Sequence, residues 1–230
     1  MEQYGIKENI LRLRKEVFTA ALKAGRNPDD IKIIAVTKHV SIERIREAVQ
    51  EDIIDLGENR VQELLTKQPH LGPGINWHHI GHLQTNKVKS VVGQVSLIHS
   101  LDSWRLACDI DRRSREIGIV SDVLVQVNVS QEESKYGLNP AEVMDFVGSG
   151  RNLAGLSFKG LMTIAPLVED PEKVRRYFRE LKKLYDLIRE RVPEVPMVYL
   201  SMGMSNDYCI AVEEGANILR VGTAIFGSRR

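Results

Sequence analysis

Apolar residues recur along the chain with two alternating spacings, and this alternation is the clearest structural signal in the sequence. Residues 6–24 carry apolar positions three or four apart, the spacing of an amphipathic helix, and Gly25 is typical of the residue that ends one. The segment 31–38 is apolar and β-branched, which indicates a buried strand ending at Lys38. From there on, short strand-like segments alternate with longer helix-like ones.

This alternation predicts about eight strands separated by helices. The strands are expected at 31–38, 53–56, 77–80, 95–99, 122–129, 155–164, 197–200 and 216–221. The helices are expected at 41–51, 59–66, 83–92, 103–117, 140–147, 171–191 and 207–214. Short connections favour a parallel sheet with helices outside, and eight repeats favour a closed TIM-type (β/α)8 barrel, one domain over 1–230 with an extra N-terminal helix. The alternative is a doubly wound open sheet, which usually carries a glycine-rich nucleotide loop that this chain lacks.

Side-chain alternation within two strands supports the barrel. In 122–129 the valines at 123, 125, 127 and 129 share one face and should meet the helices, while Leu124, Gln126 and Asn128 share the other. If Leu219 and Val221 face the helices in the last strand, Arg220 points into the barrel. A buried guanidinium needs a ligand or a structural ion pair, and both interpretations stay open.

Composition and charge exclude several classes of function. The formal net charge is +1, so no overall field attracts nucleic acid or an anionic membrane. The two cysteines, Cys108 and Cys209, do not form a disulfide framework and suit a reducing compartment. The charged segment 1–8 lacks a signal-peptide core, and no apolar run reaches the length of a membrane span. We therefore expect a cytoplasmic protein.

Lys38 is the leading candidate for chemistry. α/β proteins place their sites at the carboxyl ends of parallel strands, and a desolvated lysine amine there can form a Schiff base. A lysine that snorkels out at a strand end is the plainer alternative. The turns 201–205 and 222–224, after the last two strands, combine glycine with Ser or Thr and suit phosphate binding, although tight turns alone would explain their glycines.

Histidines at 78 and 82 are four apart, as zinc ligands on a helix would be. Their segment is predicted to be a strand leading into a turn, with no cysteine or acidic cluster beside it. We therefore expect no metal site.

Six motifs stand in order along the chain: AVTK at 35–38, GENRVQE at 57–63, WHHIGHLQTNK at 77–87, GLM at 160–162, LSMGMS at 200–205 and RVGTAIFG at 220–227. Together they resemble the pyridoxal 5′-phosphate homeostasis proteins, the YggS-like family once labelled proline synthase co-transcribed homologues. The match runs nearly end to end. One departure is His79, where relatives often carry an aromatic residue, which bears on the packing beside the third strand.

The resemblance implies a barrel like the N-terminal domain of alanine racemase, with pyridoxal phosphate held as an internal aldimine on Lys38. It implies that Ser201, Gly222 and Thr223 hold the phosphate and that Arg220 lies at the pyridine nitrogen. The residues expected to bind the cofactor are Lys38, Asn59, Met162, Ser201, Gly203, Arg220, Gly222 and Thr223.

A guanidinium cannot accept a proton, so an arginine at the ring nitrogen disfavours the pyridinium form and weakens the ring as an electron sink. Alanine racemase also has an arginine there, so catalysis is not excluded. A racemase needs a second base, which related enzymes take from a partner subunit with a further β-domain. We expect no such domain here, and Tyr136 is a weak candidate for the base.

We therefore expect a monomeric, non-enzymatic carrier or buffer in vitamin B6 homeostasis, which hands pyridoxal phosphate to apo-enzymes. One alternative is a minimal pyridoxal phosphate enzyme such as an amino-acid racemase. Another is a cofactor-free barrel that acts on a different phosphorylated metabolite.

Overall fold

The computed structural model of the protein describes residues 5–132 and 134–227. In this part of the chain, eight parallel strands close into a barrel in which each strand pairs with its sequence neighbours and the last pairs with the first. The (β/α)8 barrel expected from the sequence is confirmed. One domain over 1–230 stays a prediction, and residues 1–4 of the segment expected to lack a signal peptide lie outside the described residues.

The strands are β1 (Lys32–Val36), β2 (Asp55–Glu58), β3 (Asn76–His79), β4 (Leu97–Leu101), β5 (Ser121–Gln126), β6 (Leu156–Met162), β7 (Tyr199–Ser201) and β8 (Ile218–Val221). The α-helices are α1 (Ile6–Lys23), α2 (Ile42–Gln50), α3 (Val61–Leu71), α4 (Trp104–Glu116), α5 (Val143–Gly150), α6 (Arg175–Arg191), α7 (Tyr208–Glu213) and α8 (Thr223–Phe226). None of the helices in the described residues is long and apolar enough to cross a membrane.

Three of the segments predicted to be helical contain 3₁₀ turns. The prediction of a helix at 83–92 is wrong, because the structure forms only a 3₁₀ helix there, Thr85–Ser90. The buried residues Val88 and Val91 are three apart, which matches the repeat of a 3₁₀ helix. The helices expected to begin at 140 and 171 each open with a 3₁₀ turn before α5 and α6. In both, a proline takes the first turn, where its missing N–H is tolerated.

The barrel separates two apolar layers. Inside it, a small cluster is formed by Ile34, Leu97, Leu124, Met162 and Ile218. The larger core lies between the barrel and the helices, and it contains the valines at 123, 125, 127 and 129. The two faces predicted for this segment are therefore confirmed, although β5 ends at Gln126 rather than at residue 129.

The N-terminal helix α1 lies against other helices on the outside of the barrel. It packs against α2, α7 and α8. The buried amide of Asn9 donates from Nδ2 to the carbonyl of Ile225 at 3.0 Å, which ties the helix to the last turn of the chain. Its predicted extent of 6–24 differs from the observed one by a single residue.

His79, the departure from the family pattern, ends β3 and is fully buried. Neither ring nitrogen has a hydrogen-bond partner among the described residues. Burial lowers the pKa of His79 to about 4, so the ring is neutral at neutral pH.

A buried ion pair braces the turn that follows β1. The Lys67 amine on α3 lies 2.6 Å from Glu58 Oε1 and 2.9 Å from Glu63 Oε2, and it also donates to the carbonyl oxygen of Thr37 at 2.7 Å. Glu63 in turn accepts from the backbone N–H of His39 at 2.8 Å. Both neighbours of residue 38 are therefore fixed to one cluster of charges.

Removing the cation from this cluster tests it. Burial raises the pKa of Glu58 above its usual value, even though hydrogen bonds from Lys67 and Thr37 act in the opposite direction. Lys67→Met leaves that carboxylate buried and unpaired, so we expect the free energy of unfolding at neutral pH to fall by about 3–5 kcal/mol. Because the folded pKa lies above the unfolded one, ionisation costs the folded state more as pH rises, and the loss should shrink towards about pH 5. Urea unfolding at both pH values measures this.

The matched control is the double variant Lys67→Met with Glu58→Gln, which removes both charges. It should be more stable than Lys67→Met alone at neutral pH. An equal loss at both pH values, or a double variant no more stable than the single one, would show that the pair does not brace this turn electrostatically.

Candidate functional site

A cavity of about 580 Å³ opens at the carboxyl-terminal rim of the barrel. Its walls come from the segments that follow β1, β5, β6, β7 and β8. The residues that line it are Val36, Lys38, Lys135, Ile164, Ala165, Pro166, Leu167, Val168, Pro171, Val174, Met204, Ser205, Asn206, Asp207, Arg220, Gly222 and Thr223. One side is therefore apolar, and the other carries amines, a guanidinium and hydroxyl groups.

Lys38 reaches this cavity from a turn and not from the strand itself. β1 ends at Val36, so the prediction of a strand that runs to Lys38 is wrong by two residues. The Thr37 carbonyl accepts from the Val40 N–H and from the Lys67 amine, which takes it out of the sheet ladder. Lys38 is half-buried, with its two neighbours pinned by the ion-pair cluster. The Lys38 side chain therefore extends to the cavity wall from a backbone segment whose position is fixed.

Arg220 points into the barrel and lines the floor of the cavity. The alternation in β8 predicted this orientation, and Leu219 and Val221 lie in the outer core as expected. Its guanidinium donates to Ser201 Oγ at 2.6 Å and to the Thr163 carbonyl at 2.7 Å. Burial lowers the pKa of Arg220 to about 10, against the opposing charge of Asp207, so the group stays charged at neutral pH.

The turns after β7 and β8 meet at the rim. Ser205 Oγ accepts from the backbone N–H groups of Gly222 and Ala224, both at 3.2 Å. Gly203 has a φ of +91°, and a Cβ there would lie 2.5 Å from the Cβ of Ala211, so only glycine fits the turn. Two N–H groups thus orient the Ser205 hydroxyl at the wall and leave its own proton for an anion such as a phosphate.

The structure brings four of the predicted binding residues to the cavity wall: Lys38, Arg220, Gly222 and Thr223. The other four do not line it. Met162 belongs to the barrel interior, and Ser201 is fully buried with its hydroxyl engaged by Arg220. Gly203 is buried in the turn, and Asn59 is half-buried, with no hydrogen-bond partner for its Oδ1 among the described residues. Their roles stay predictions.

Sequence reasoning missed several cavity residues, among them Ser205 and Lys135. Ser205 belongs to the LSMGMS motif, but two serines in one short turn cannot be told apart without knowing which one faces the cavity. Lys135 reaches the wall because Asn128 Nδ2 donates to the carbonyls of Glu132 and Lys135 and folds the loop back. The neighbouring Tyr136, weighed as a second base, stacks on His82 at 3.8 Å between centroids and does not line the cavity.

His78 and His82 do not share a ligand site. His78 Nε2 lies 2.9 Å from Asp55 Oδ1 inside the barrel, whereas His82 Nδ1 lies 3.1 Å from Asp102 Oδ2 at the surface. In residues 5–132 and 134–227, no group of three or more His, Cys, Asp or Glu side chains is arranged to hold a metal ion.

Comparison with known proteins places these features in a family. Residues 6–230 match the model of the alanine racemase N-terminal domain. The chain is 44% identical over 224 residues to a pyridoxal phosphate homeostasis protein of Aquifex aeolicus, an alignment that covers 97% of this chain and 98% of that protein.

Two solved structures extend the comparison. PipY of Synechococcus elongatus, solved with pyridoxal phosphate bound, is 34% identical to this chain and superposes with a TM-score of 0.85. The match covers 96% of this chain and 100% of PipY. An alanine racemase of Clostridium difficile is 16% identical with a TM-score of 0.74, over 98% of this chain but 57% of the enzyme, and shows the likeness of the fold alone. The chain belongs to the pyridoxal phosphate homeostasis protein family, whose barrel is that of the alanine racemase N-terminal domain.

Proposed function

We propose that this protein binds pyridoxal phosphate reversibly through Lys38 and acts in its homeostasis as a carrier or buffer, without dedicated catalysis. One observation carries the proposal: a lysine amine, a buried guanidinium and a pair of hydroxyl groups border a single cavity of about 580 Å³. The ligand found in PipY is a phosphorylated aldehyde with a ring nitrogen, and those three groups complement its three functional parts.

Pyridoxal phosphate supplies an aldehyde that condenses with a primary amine to an imine, with the aldehyde oxygen leaving as water. Lys38 supplies the amine. Because the turn around it is pinned at Thr37 and His39, the amine is held at the wall while the side chain remains half-exposed. Water or a competing amine can therefore reach the adduct and release the ligand, as a carrier requires.

The phosphate end is assigned to the turns after β7 and β8. The N–H groups of Gly222 and Ala224 donate to Ser205 Oγ, so the Ser205 hydroxyl keeps its own proton to donate to a phosphate oxygen. Thr223 is exposed at the cavity wall and adds a further hydroxyl. Gly203 keeps the turn in the conformation that this convergence needs.

Arg220 is assigned to the ring nitrogen, where its fixed charge disfavours protonation of the ring. Ser201 holds the guanidinium, and Met162 belongs to the apolar cluster of the barrel interior. Asn59 does not line the cavity, and its role in binding stays a prediction. In this assignment the residues that do not touch the cavity support those that do.

The wall offers little for carbanion chemistry. In the described part of the chain, the cavity-lining groups that can exchange a proton besides Lys38 are Lys135 and Asp207. Burial raises the pKa of Asp207, and its Oδ1 accepts from the Met204 N–H, which commits it to the turn. Transfer of the ligand to apo pyridoxal phosphate enzymes is the proposed outcome, with no turnover of amino acids. The monomeric state expected from the sequence stays a prediction.

Absorbance after incubation with pyridoxal phosphate and desalting tests the proposal. The wild type should retain a visible band, and Lys38→Ala should lose it, with the dissociation constant rising by about a hundredfold or more because the covalent bond is gone. Lys89→Ala, which removes an exposed lysine far from the cavity, is the control and should keep the band. A wild type without a band, or a Lys38→Ala protein that keeps one, would contradict the proposal.

Ser205→Ala tests the phosphate end. We expect its affinity for pyridoxal phosphate to fall by about tenfold, the effect of about one hydrogen bond to a charged group. Pyridoxal, which has no phosphate, is the matched probe. Its weaker binding, followed by the same absorbance titration, should be unchanged by the substitution. An equal loss for both ligands would move the phosphate away from this turn.

A further inference from the structure

A row of hydrogen-bonded side chains runs through the barrel interior from its amino-terminal end to Arg220. It begins on the first strands, where the Lys32 amine lies 2.8 Å from Asp55 Oδ1. His78 on β3 approaches the same carboxylate oxygen with Nε2 at 2.9 Å. The other ring nitrogen of His78, Nδ1, lies 3.1 Å from Nε2 of His99 on β4.

The row continues to the cavity floor. His99 Nδ1 lies 3.1 Å from Ser201 Oγ on β7, and Ser201 Oγ accepts from Arg220 Nη1 at 2.6 Å. His78, His99, Ser201 and Arg220 are all buried. The contacts join residues up to 102 positions apart, so the closed barrel alone brings them together.

Chemistry gives every hydrogen bond in this row a direction. Burial raises the pKa of Asp55, but hydrogen bonds from His78 and Lys32 outweigh it, and the net pKa is lowered, so the group is a carboxylate. A carboxylate only accepts, so His78 Nε2 must carry the proton. Burial lowers the pKa of both histidines, so each ring is neutral and has one acceptor.

The remaining directions follow in turn. His78 Nδ1 is then the acceptor for His99 Nε2–H, and His99 Nδ1 accepts from the Ser201 hydroxyl. With its own proton used in this way, Ser201 Oγ presents lone pairs to Arg220. Between Arg220 and Asp55, each N–H or O–H therefore donates to the next residue in the direction of Asp55.

We propose that Asp55, His78 and His99 are positioning residues that hold the Arg220 guanidinium against the ligand through this one-directional row of hydrogen bonds. The proposal rests on the proposed function, because it concerns the group assigned to the ring nitrogen. His99 accepts the Ser201 proton, which fixes the orientation of the hydroxyl and directs the lone pairs of Oγ at Arg220. A carboxylate at the far end of the barrel thus fixes a cation at the cavity floor without touching it.

Three variants test the proposal through bound pyridoxal phosphate. His99→Leu removes both hydrogen bonds, whereas His99→Gln keeps a donor and an acceptor at a similar separation. We expect His99→Leu and Asp55→Asn to retain the visible band, since Lys38 is intact. Their dissociation constants should rise by about tenfold, and the pH midpoint of the band should shift by about half a unit or more. His99→Gln should stay within about twofold of the wild type.

Ser121→Ala is the matched control, because it breaks a buried hydrogen bond of 2.7 Å, to Ser114, that lies outside the row. It should leave affinity and pH midpoint unchanged. If His99→Leu behaves like the wild type, or if His99→Gln is as impaired as His99→Leu, the row does not position Arg220. A wild type with no retained band would overturn the proposed function instead.

The histidine tautomers test the row without any ligand. Nitrogen NMR of the wild type at neutral pH, with signals assigned through the single variants, should show His78 and His99 both neutral and protonated at Nε2. A proton on Nδ1 of either ring, or a doubly protonated ring, would break the sequence of donors and overturn the proposal. Because this measurement needs no bound pyridoxal phosphate, it tests the row independently of the proposed function.

Discussion

A charged guanidinium inside the barrel is the constraint on which the arrangement of the site depends. A buried charge must be fully hydrogen-bonded, and a barrel interior filled with apolar side chains offers few partners. Arg220 finds them in Ser201 Oγ and in the Thr163 carbonyl, which stands just past the end of β6. Those two contacts fix the depth of the cavity floor. They also commit Ser201 to the arginine, which leaves Ser205 as the serine that faces the cavity.

The second constraint acts from outside the barrel. The Lys67–Glu58 pair is buried between β2 and α3 and holds the backbone at Thr37, while Glu63, which also binds Lys67, holds it at His39. The Lys38 amine and the Arg220 guanidinium are therefore held by different means, one from the outer layer and one from the interior. Only the amine is left half-exposed. This difference suits a protein that must bind a reactive aldehyde firmly and still release it.

Much of the fold and part of the site could be predicted from the sequence because they depend on local pattern. The alternating valines of β5 define its outer face, and the same alternation placed Arg220 inside the barrel. The end of β1 was misjudged because the Thr37 carbonyl is drawn out of the ladder by Lys67, a residue 30 positions away. Likewise, nothing near His99 in sequence indicates that its partners are His78 and Ser201. Contacts that join distant strands leave no local signal, and motif order alone cannot say which of two serines turns towards a cavity.

The central claim is that one amine, that of Lys38, holds the ligand. Borohydride reduction of the protein after incubation with pyridoxal phosphate makes the bond permanent, and peptide mapping by mass spectrometry then locates it. The account predicts one dominant labelled peptide, modified at Lys38. Label mainly on Lys135, the other lysine of the cavity wall, or spread over exposed lysines, would contradict it.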